Sequence, residues 1–200
     1  MLLTFELTIV SILIGIIIGL IFALLKLSNV KPLEYISDIY IYLVRGTPLI
    51  VQIFILYFGI SGIFLIPDFW AAALALAFHN GAYIAEIFRG TIQSIDKGQM
   101  EAGRSLGMTK ALTMRRIILP QAFRRALPPL GNQFIIGLKD SSLAAFISMN
   151  ELFNVATTLG SNNFDEMTYL IIVAIYYLIL VAILTIVVKV LETRLTVSDR

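Results

Sequence analysis

Few side chains in this sequence are equipped for bond-making chemistry. It holds no cysteine and a single histidine, His79. Thiol catalysis and thiolate metal sites are therefore excluded, and a histidine-rich metal centre cannot be assembled from this chain. No G-x4-G-K-[S/T] phosphate loop occurs, so this type of nucleotide cradle is missing. What remains is a set of polar groups in apolar surroundings. Lys139 and Asp140 adjoin inside an apolar stretch, where each charge costs about 2.5–3.5 kcal/mol on insertion scales. Neighbouring residues of a helix point about 100° apart, so the two cannot fully satisfy each other. They either line a watered route or pair with another helix or subunit. His79, Tyr83 and Glu86 recur at helical spacing, with Asn80 beside the first of them. They share a helix face that either lines a route or supplies interhelical hydrogen bonds. Gln52 carries the same two readings. An intramembrane hydrolase would need a metal cluster or a nucleophile–base pair, and the supply of such groups is thin.

The elements that position these groups are membrane helices. Hydrophobic residues make up 58% of the chain and charged residues 14%, whereas a soluble domain carries about 25% charged residues. The expectation is a single transmembrane domain over 1–200, all-α and integral to the membrane. Spans are expected at about 4–25, 49–66, 68–88, 126–147 and 167–188, from the length an apolar helix needs to cross. The fourth is the weakest, because it contains Pro128, Pro129, Asn132, Gln133, Lys139 and Asp140. The charges argue for it. Every basic residue except Lys139 falls after the first span, after the third or in the tail. Five spans with the N-terminus outside and the C-terminus cytoplasmic put all of these on one side, as the positive-inside rule requires. Omitting the weak span would send the basic tail across. The first apolar stretch has no basic residue before it and is too long for a signal-peptide core. Lys31 to Tyr42 suits an interfacial helix, and residues 148–166 suit a short helix and turn outside. The outer segments are acidic, with Glu6, Asp68, Glu151, Asp165 and Glu166. Trp70, Tyr176 and Tyr177 suit packing or interfacial anchoring.

The loop from Arg89 to Arg125 is too long for a plain connector, and such loops are often functional. Residues from Gly98 to Leu106 can form a short helix with Gly107 as its C-cap. Thr109 can cap a second helix, Lys110 to Leu119, with Pro120 as its stop. Ala102, Gly103 and Ser105 are small enough to let another backbone approach.

Within this loop the chain resembles the permease subunits of bacterial ATP-binding-cassette importers. Their pattern Glu-Ala-Ala-x3-Gly-x9-Ile-x-Leu-Pro is met by Glu101-Ala102-Gly103, Gly107, Ile117, Leu119 and Pro120, with Gly103 replacing the second Ala. Three further stretches are similar to the polar amino-acid branch of that family. They are Arg45-Gly46-Thr47-Pro48 with Val51-Gln52, Gly81 to Gly90, and Lys139-Asp140-Ser141-Ser142-Leu143-Ala144. The resemblance implies that residues about 98–112, between spans 3 and 4, form a cytoplasmic coupling helix docked on a separate ATPase. Glu101, Ala102, Gly103, Gly107, Leu119 and Pro120 are its expected coupling residues. It also implies a second permease subunit, identical or not, an extracytoplasmic amino-acid-binding protein, and a place in the bacterial cell membrane among its lipids. ATP and Mg are expected on the ATPase, with no cofactor on this chain and no nucleic-acid partner. Gln52, His79, Asn80, Tyr83, Glu86, Lys139, Asp140, Ser141 and Ser142 are the candidate pathway contacts for a polar amino acid; the acidic outside favours a basic one or a basic docking face on the binding protein, or simply follows from the charge rule. The alternative function is an ATP-independent channel or secondary carrier. Many secondary carriers show internal repeats, and none is visible here.

Overall fold

The computed structural model describes residues 1–59 and 66–196. The second expected span, 49–66, thus lies partly outside the described residues, as does Arg200. The described chain is entirely helical. Among the described residues, three helices are long and apolar enough to cross a membrane: α1 (Leu2–Lys26), α4 (Asp68–Gln93) and α9 (Glu166–Thr196). A fourth candidate is a bent pair, α2 (Lys31–Gly46) and α3 (Leu49–Phe54), the latter widened into a π turn over Ile55–Gly59. The two meet at 106°. Pro48 forces this corner: it fixes its own backbone and keeps Thr47 extended, with φ −117° and ψ 145°.

α1 and α4 form the centre of the fold. The buried stripe of α1 is Thr4, Leu7, Thr8, Ser11, Ile12, Gly15, Gly19 and Ala23. It lies on the alanine-rich face of α4, including Ala71 to Ala73, Ala75, Ala77 and Gly81. Lipid tails are as apolar as leucine, so close van der Waals packing, rather than hydrophobicity, must hold such helices together. Small residues permit it. A Cβ on Gly19 would sit 2.6 Å from Ile84 Cγ2 and 2.9 Å from the Gly81 carbonyl oxygen. Thr8 Oγ1 and Ser11 Oγ donate back to the carbonyls of Thr4 and Thr8, so α1 carries its hydroxyls at no polar deficit.

The loop after α4 contains α5 (Lys97–Ser105) and α6 (Lys110–Thr113), then a π turn over Met114–Ile118 and α7 (Leu119–Asp140). The sequence placed a stop at Pro120. The helix instead continues through it, because the wide π turn comes immediately before and Pro120 falls at the second position of α7, where a missing N–H is tolerated. A 3-10 helix over Ser141–Ile147 completes the stretch where the weak span was expected. α7 is not among the helices that qualify by composition. It is nevertheless packed between α4 and α9. Gln133 Nε2 donates to Asn80 Oδ1 at 2.7 Å, and a Cβ on Gly131 would lie 2.6 Å from Val188 Cγ1.

α8 (Leu152–Asn163) turns back onto α9 through Phe164, whose φ of 55° closes the helix end. Glu151, expected on the acidic outer surface, is fully buried. Its carboxylate accepts from the backbone N–H groups of Phe153 and Asn154 and from the Tyr177 hydroxyl, so it caps α8 and ties it to α9. Burial raises this carboxyl above its ordinary value, against the lowering effect of the three donors. The outer surface of α9 is apolar, with Ile171, Leu178, Ile179, Ile183 and Ile186 exposed.

Candidate functional site

The loop helix α5 begins at Asp96, whose carboxylate accepts from Gly98 N–H at 2.6 Å. It ends in a two-bond cap. Met108 N–H donates to the Gly103 carbonyl at 3.1 Å and Gly107 N–H to that of Arg104 at 3.0 Å. This closure needs a left-handed residue, and Gly107 supplies φ +82°. Thr109 then accepts from Leu112 N–H and starts α6. The turn is packed from beneath by Ile92, Ile95, Ile118 and Ala122, with Met100, Met114 and Ile117 around them. Gly103 is buried against Thr113, whereas Glu101, Ala102, Arg104 and Ser105 are exposed. Leu106 at the tip is 82% exposed, and nothing in the sequence alone distinguished it from a residue turned inward. Leu119 is half-buried and Pro120 exposed, at the root of the return helix. The result is a rigid knob with a polar flank and an apolar tip.

The second constellation runs down one side of α4. Gln52 Oε1 lies 3.2 Å from His79 Nδ1, and Gln52 Nε2 donates to the carbonyls of Val44 and Thr47, clamping the corner between α2 and α3. The His79 and Tyr83 rings are 5.2 Å apart. The Arg45 guanidinium stands 5.1 Å over the Tyr83 ring. Glu86 accepts from Arg89 Nε and Nη2 at 2.9 and 2.8 Å. Gln52, His79, Tyr83 and Glu86 are all partly exposed, and a cavity of about 880 Å3 opens beside Tyr83, Glu86, Arg89, Arg45, Lys26 and Asp38. The expected shared face of His79, Tyr83 and Glu86 is therefore present. Asn80 points away from it. It is buried, donates to the Leu76 carbonyl and accepts from Gln133.

The remaining candidates lie at the far end of α7. Lys139 is exposed and Asp140 half-buried; among the described residues they form no ion pair with each other. Lys139 and Ser142 line a cavity of about 320 Å3 together with Phe153 and Tyr177. Ser141 is buried and donates to the Leu138 carbonyl. The structure thus puts Tyr83 and Glu86 in one cavity and Lys139 and Ser142 in another, buries Asn80 and Ser141, and leaves Gln52, His79 and Asp140 half-buried outside both linings. No cluster of three or more metal-ligating side chains occurs among the described residues.

The family model described as binding-protein-dependent transport system inner membrane component matches residues 15–197. The chain belongs to this family. The permease is similar to the L-cystine transport system permease protein TcyB of Bacillus subtilis (strain 168), with 43% identity over 96% of this chain and 83% of that one. It is 37% identical to the arginine transport system permease protein ArtQ of the same organism, over 98% of this chain and 91% of the relative. The glutamine transport system permease protein GlnP of Escherichia coli (strain K12) is 40% identical over 82% of this chain and 76% of its own. Among solved structures, an amino acid ABC transporter crystallised with histidines superposes with a TM-score of 0.90 at 39% identity, covering 97% of this chain and 91% of that one. The inward-facing methionine transporter MetNI, with a TM-score of 0.85 at 21% identity, shares the fold.

The permease is therefore a multi-pass cell-membrane protein and the membrane subunit of an ATP-driven importer, in which a separate chain hydrolyses ATP. Membership of this importer family implies an ATPase partner and a second permease. The channel and secondary-carrier alternative falls with this assignment. Sequence reasoning placed Arg45 only in a similar stretch and missed its position in the cavity. It also passed over Gly15-x3-Gly19, a small-xxx-small pattern visible in the sequence that marks the α1–α4 contact.

Proposed function

We propose that the permease forms the route by which a polar amino acid enters the cell, delivered by an extracytoplasmic binding protein. The observation that carries this reading is the partly exposed row His79, Tyr83 and Glu86 on α4, met by Gln52 of α3 at His79, with Tyr83 and Glu86 lining the larger cavity. It is supported by relatives named for cystine, arginine and glutamine. A membrane helix keeps such groups where water or substrate reaches them. Lys139, Asp140 and Ser142 extend the route toward the other cavity, while Asn80 and Ser141 hold the helices around it.

In this reading the whole chain is one transmembrane domain with five spans. α7 and the 3-10 helix after it make the fourth, and its polar residues are accommodated by α4 and α9 rather than lipid. The N-terminus is outside, the C-terminus and the knob of residues about 98–112 are cytoplasmic, and ATP and Mg sit on the partner. Glu101 and Ala102 present the polar flank of the coupling helix, Leu106 its apolar tip. Gly103, Gly107, Leu119 and Pro120 fix its shape.

Two measurements test this. A cysteine at Ser161 should react with an impermeant reagent from outside and one at Lys110 only from inside; labelling of both from one side would overturn the topology. The chain purified with its ATPase and binding protein should show ATP hydrolysis stimulated by particular amino acids. A screen in which no amino acid stimulates hydrolysis or is taken up would overturn the substrate class.

A further inference from the structure

We propose that Arg45 is the carboxylate-receiving residue of the cavity between α1, α2 and α4, and that it grips the α-carboxylate of the amino acid in transit. This rests on the amino-acid reading above. The cavity, about 880 Å3, lies in the size range of small-molecule sites. It is lined by three cations and two carboxylates: Lys26, Arg45, Arg89, Asp38 and Glu86. Both carboxylates are already engaged. Lys26 donates to Asp38, and Arg89 holds both oxygens of Glu86 in a fork. Arg45 is the cation with no hydrogen-bonded carboxylate, only a long ion pair to Glu86. Its nearest carboxylate oxygen, on Glu86, is 3.9 Å from Nη1, too far for a hydrogen bond. No side-chain hydrogen bond from Arg45 occurs among the described residues, and its side chain is 44% exposed.

The guanidinium is nevertheless held in place. It stands over the Tyr83 ring at 5.1 Å, a cation–π arrangement that limits its freedom without using its donors. A planar fork of free N–H groups beside a neutralised background matches a carboxylate in two parallel bonds. The corner that carries Arg45 is rigid, since Gln52 ties the Val44 and Thr47 carbonyls together. A lipid phosphate has related chemistry and is the competing source of an anion.

The test uses the detergent-solubilised complex of the permease with its ATPase, without the binding protein, because that protein would make its own selection. Binding of the transported amino acid and of its α-carboxamide is compared in wild type, R45Q and R45K. Wild type should prefer the carboxylate. R45Q should bind the amino acid about tenfold or more weakly, the scale of a lost charge-assisted pair, with the carboxamide unchanged. R45K, which keeps the charge but not the fork, should fall between. A purely structural Arg45 would weaken both ligands alike, and that outcome overturns the proposal. So does wild-type preference in R45Q. Phosphatidylglycerol retained by wild type but lost from R45Q, with amino-acid binding intact, would assign the residue to lipid and overturn it too. Uptake by the complete transporter in vesicles is measured alongside. If it imports amino acids but R45Q imports them as wild type does, only the Arg45 assignment fails; if it imports none, the substrate reading itself fails.

Discussion

Gly103 stands where the family pattern has a second alanine, and the packing beneath α5 gives the reason. A Cβ built on Gly103 would lie 2.5 Å from Thr113 Cγ2, 2.9 Å from its Oγ1 and 3.3 Å from Ile117 Cδ1. Thr113 cannot simply swing aside. It is fully buried and its hydroxyl donates to the Thr109 carbonyl at 3.0 Å. Forcing a methyl into such a contact costs about 1–3 kcal/mol. Alanine in a helix recovers about 1 kcal/mol relative to glycine. Gly103→Ala should therefore destabilise α5 by about 0–2 kcal/mol in the wild-type background. Thr113→Ala removes both clashing atoms. In that background the same Gly103→Ala change should stabilise α5 by about 1 kcal/mol. The coupling between the two sites is then about 1–3 kcal/mol. Amide hydrogen exchange over residues 99–106, measured on the complex in lipid nanodiscs, reads it directly, since each 1.4 kcal/mol changes the open population about tenfold. Equal effects of Gly103→Ala in both backgrounds would refute the packing argument.

Three other outcomes are expected. Gly107→Val should insert and express normally but lower transport and loosen ATPase docking, because the φ of +82° costs a β-branched residue roughly 1–2 kcal/mol although the space around it is open; Gly107→Asn should be milder, and Glu101→Lys should impair docking with the fold intact. Pull-down of the ATPase beside an uptake assay checks all three, and normal uptake in Gly107→Val and Glu101→Lys would remove the coupling assignment. Asp140→Asn should assemble with its ATPase at normal yield yet lose transport or change which amino acid stimulates hydrolysis, whereas early melting with unchanged specificity would make Asp140 structural. Glu151 is raised by burial above its ordinary 4.5, so the native state holds its proton more tightly than the unfolded chain; the contribution to stability is greatest below that value and is lost as pH rises through the folded pKa. Thermal melting of the purified permease should show this slope, and Glu151→Gln should flatten it; the same slope in both proteins would refute it.

Much of this permease is legible along the chain because the signals are local. Uninterrupted apolar length gives α1, α4 and α9. Gly107 and Thr109 mark ends of the loop helices through their own backbone bonds, and the four- and three-residue spacing of His79, Tyr83 and Glu86 puts them on one face. The spacing from Glu101 to Pro120 reveals the family before any coordinate is known. What the sequence could not decide is which distant atoms meet. Pro120 reads as a helix stop until the π turn before it absorbs the missing donor. Asn80 and His79 are neighbours of equal polarity, yet α7 arrives on one side with Gln133, and α3 on the other with Gln52. Glu151 reads as an outer surface charge until α9 brings Tyr177 over it. Arg45 reads as one basic residue among many, and only the pairing of Lys26 with Asp38 and of Arg89 with Glu86 leaves its guanidinium without a hydrogen-bonded carboxylate. Helix periodicity fixes the direction of a side chain relative to its own axis; the rotation and approach of neighbouring helices decide whether it meets a partner, lipid or open cavity.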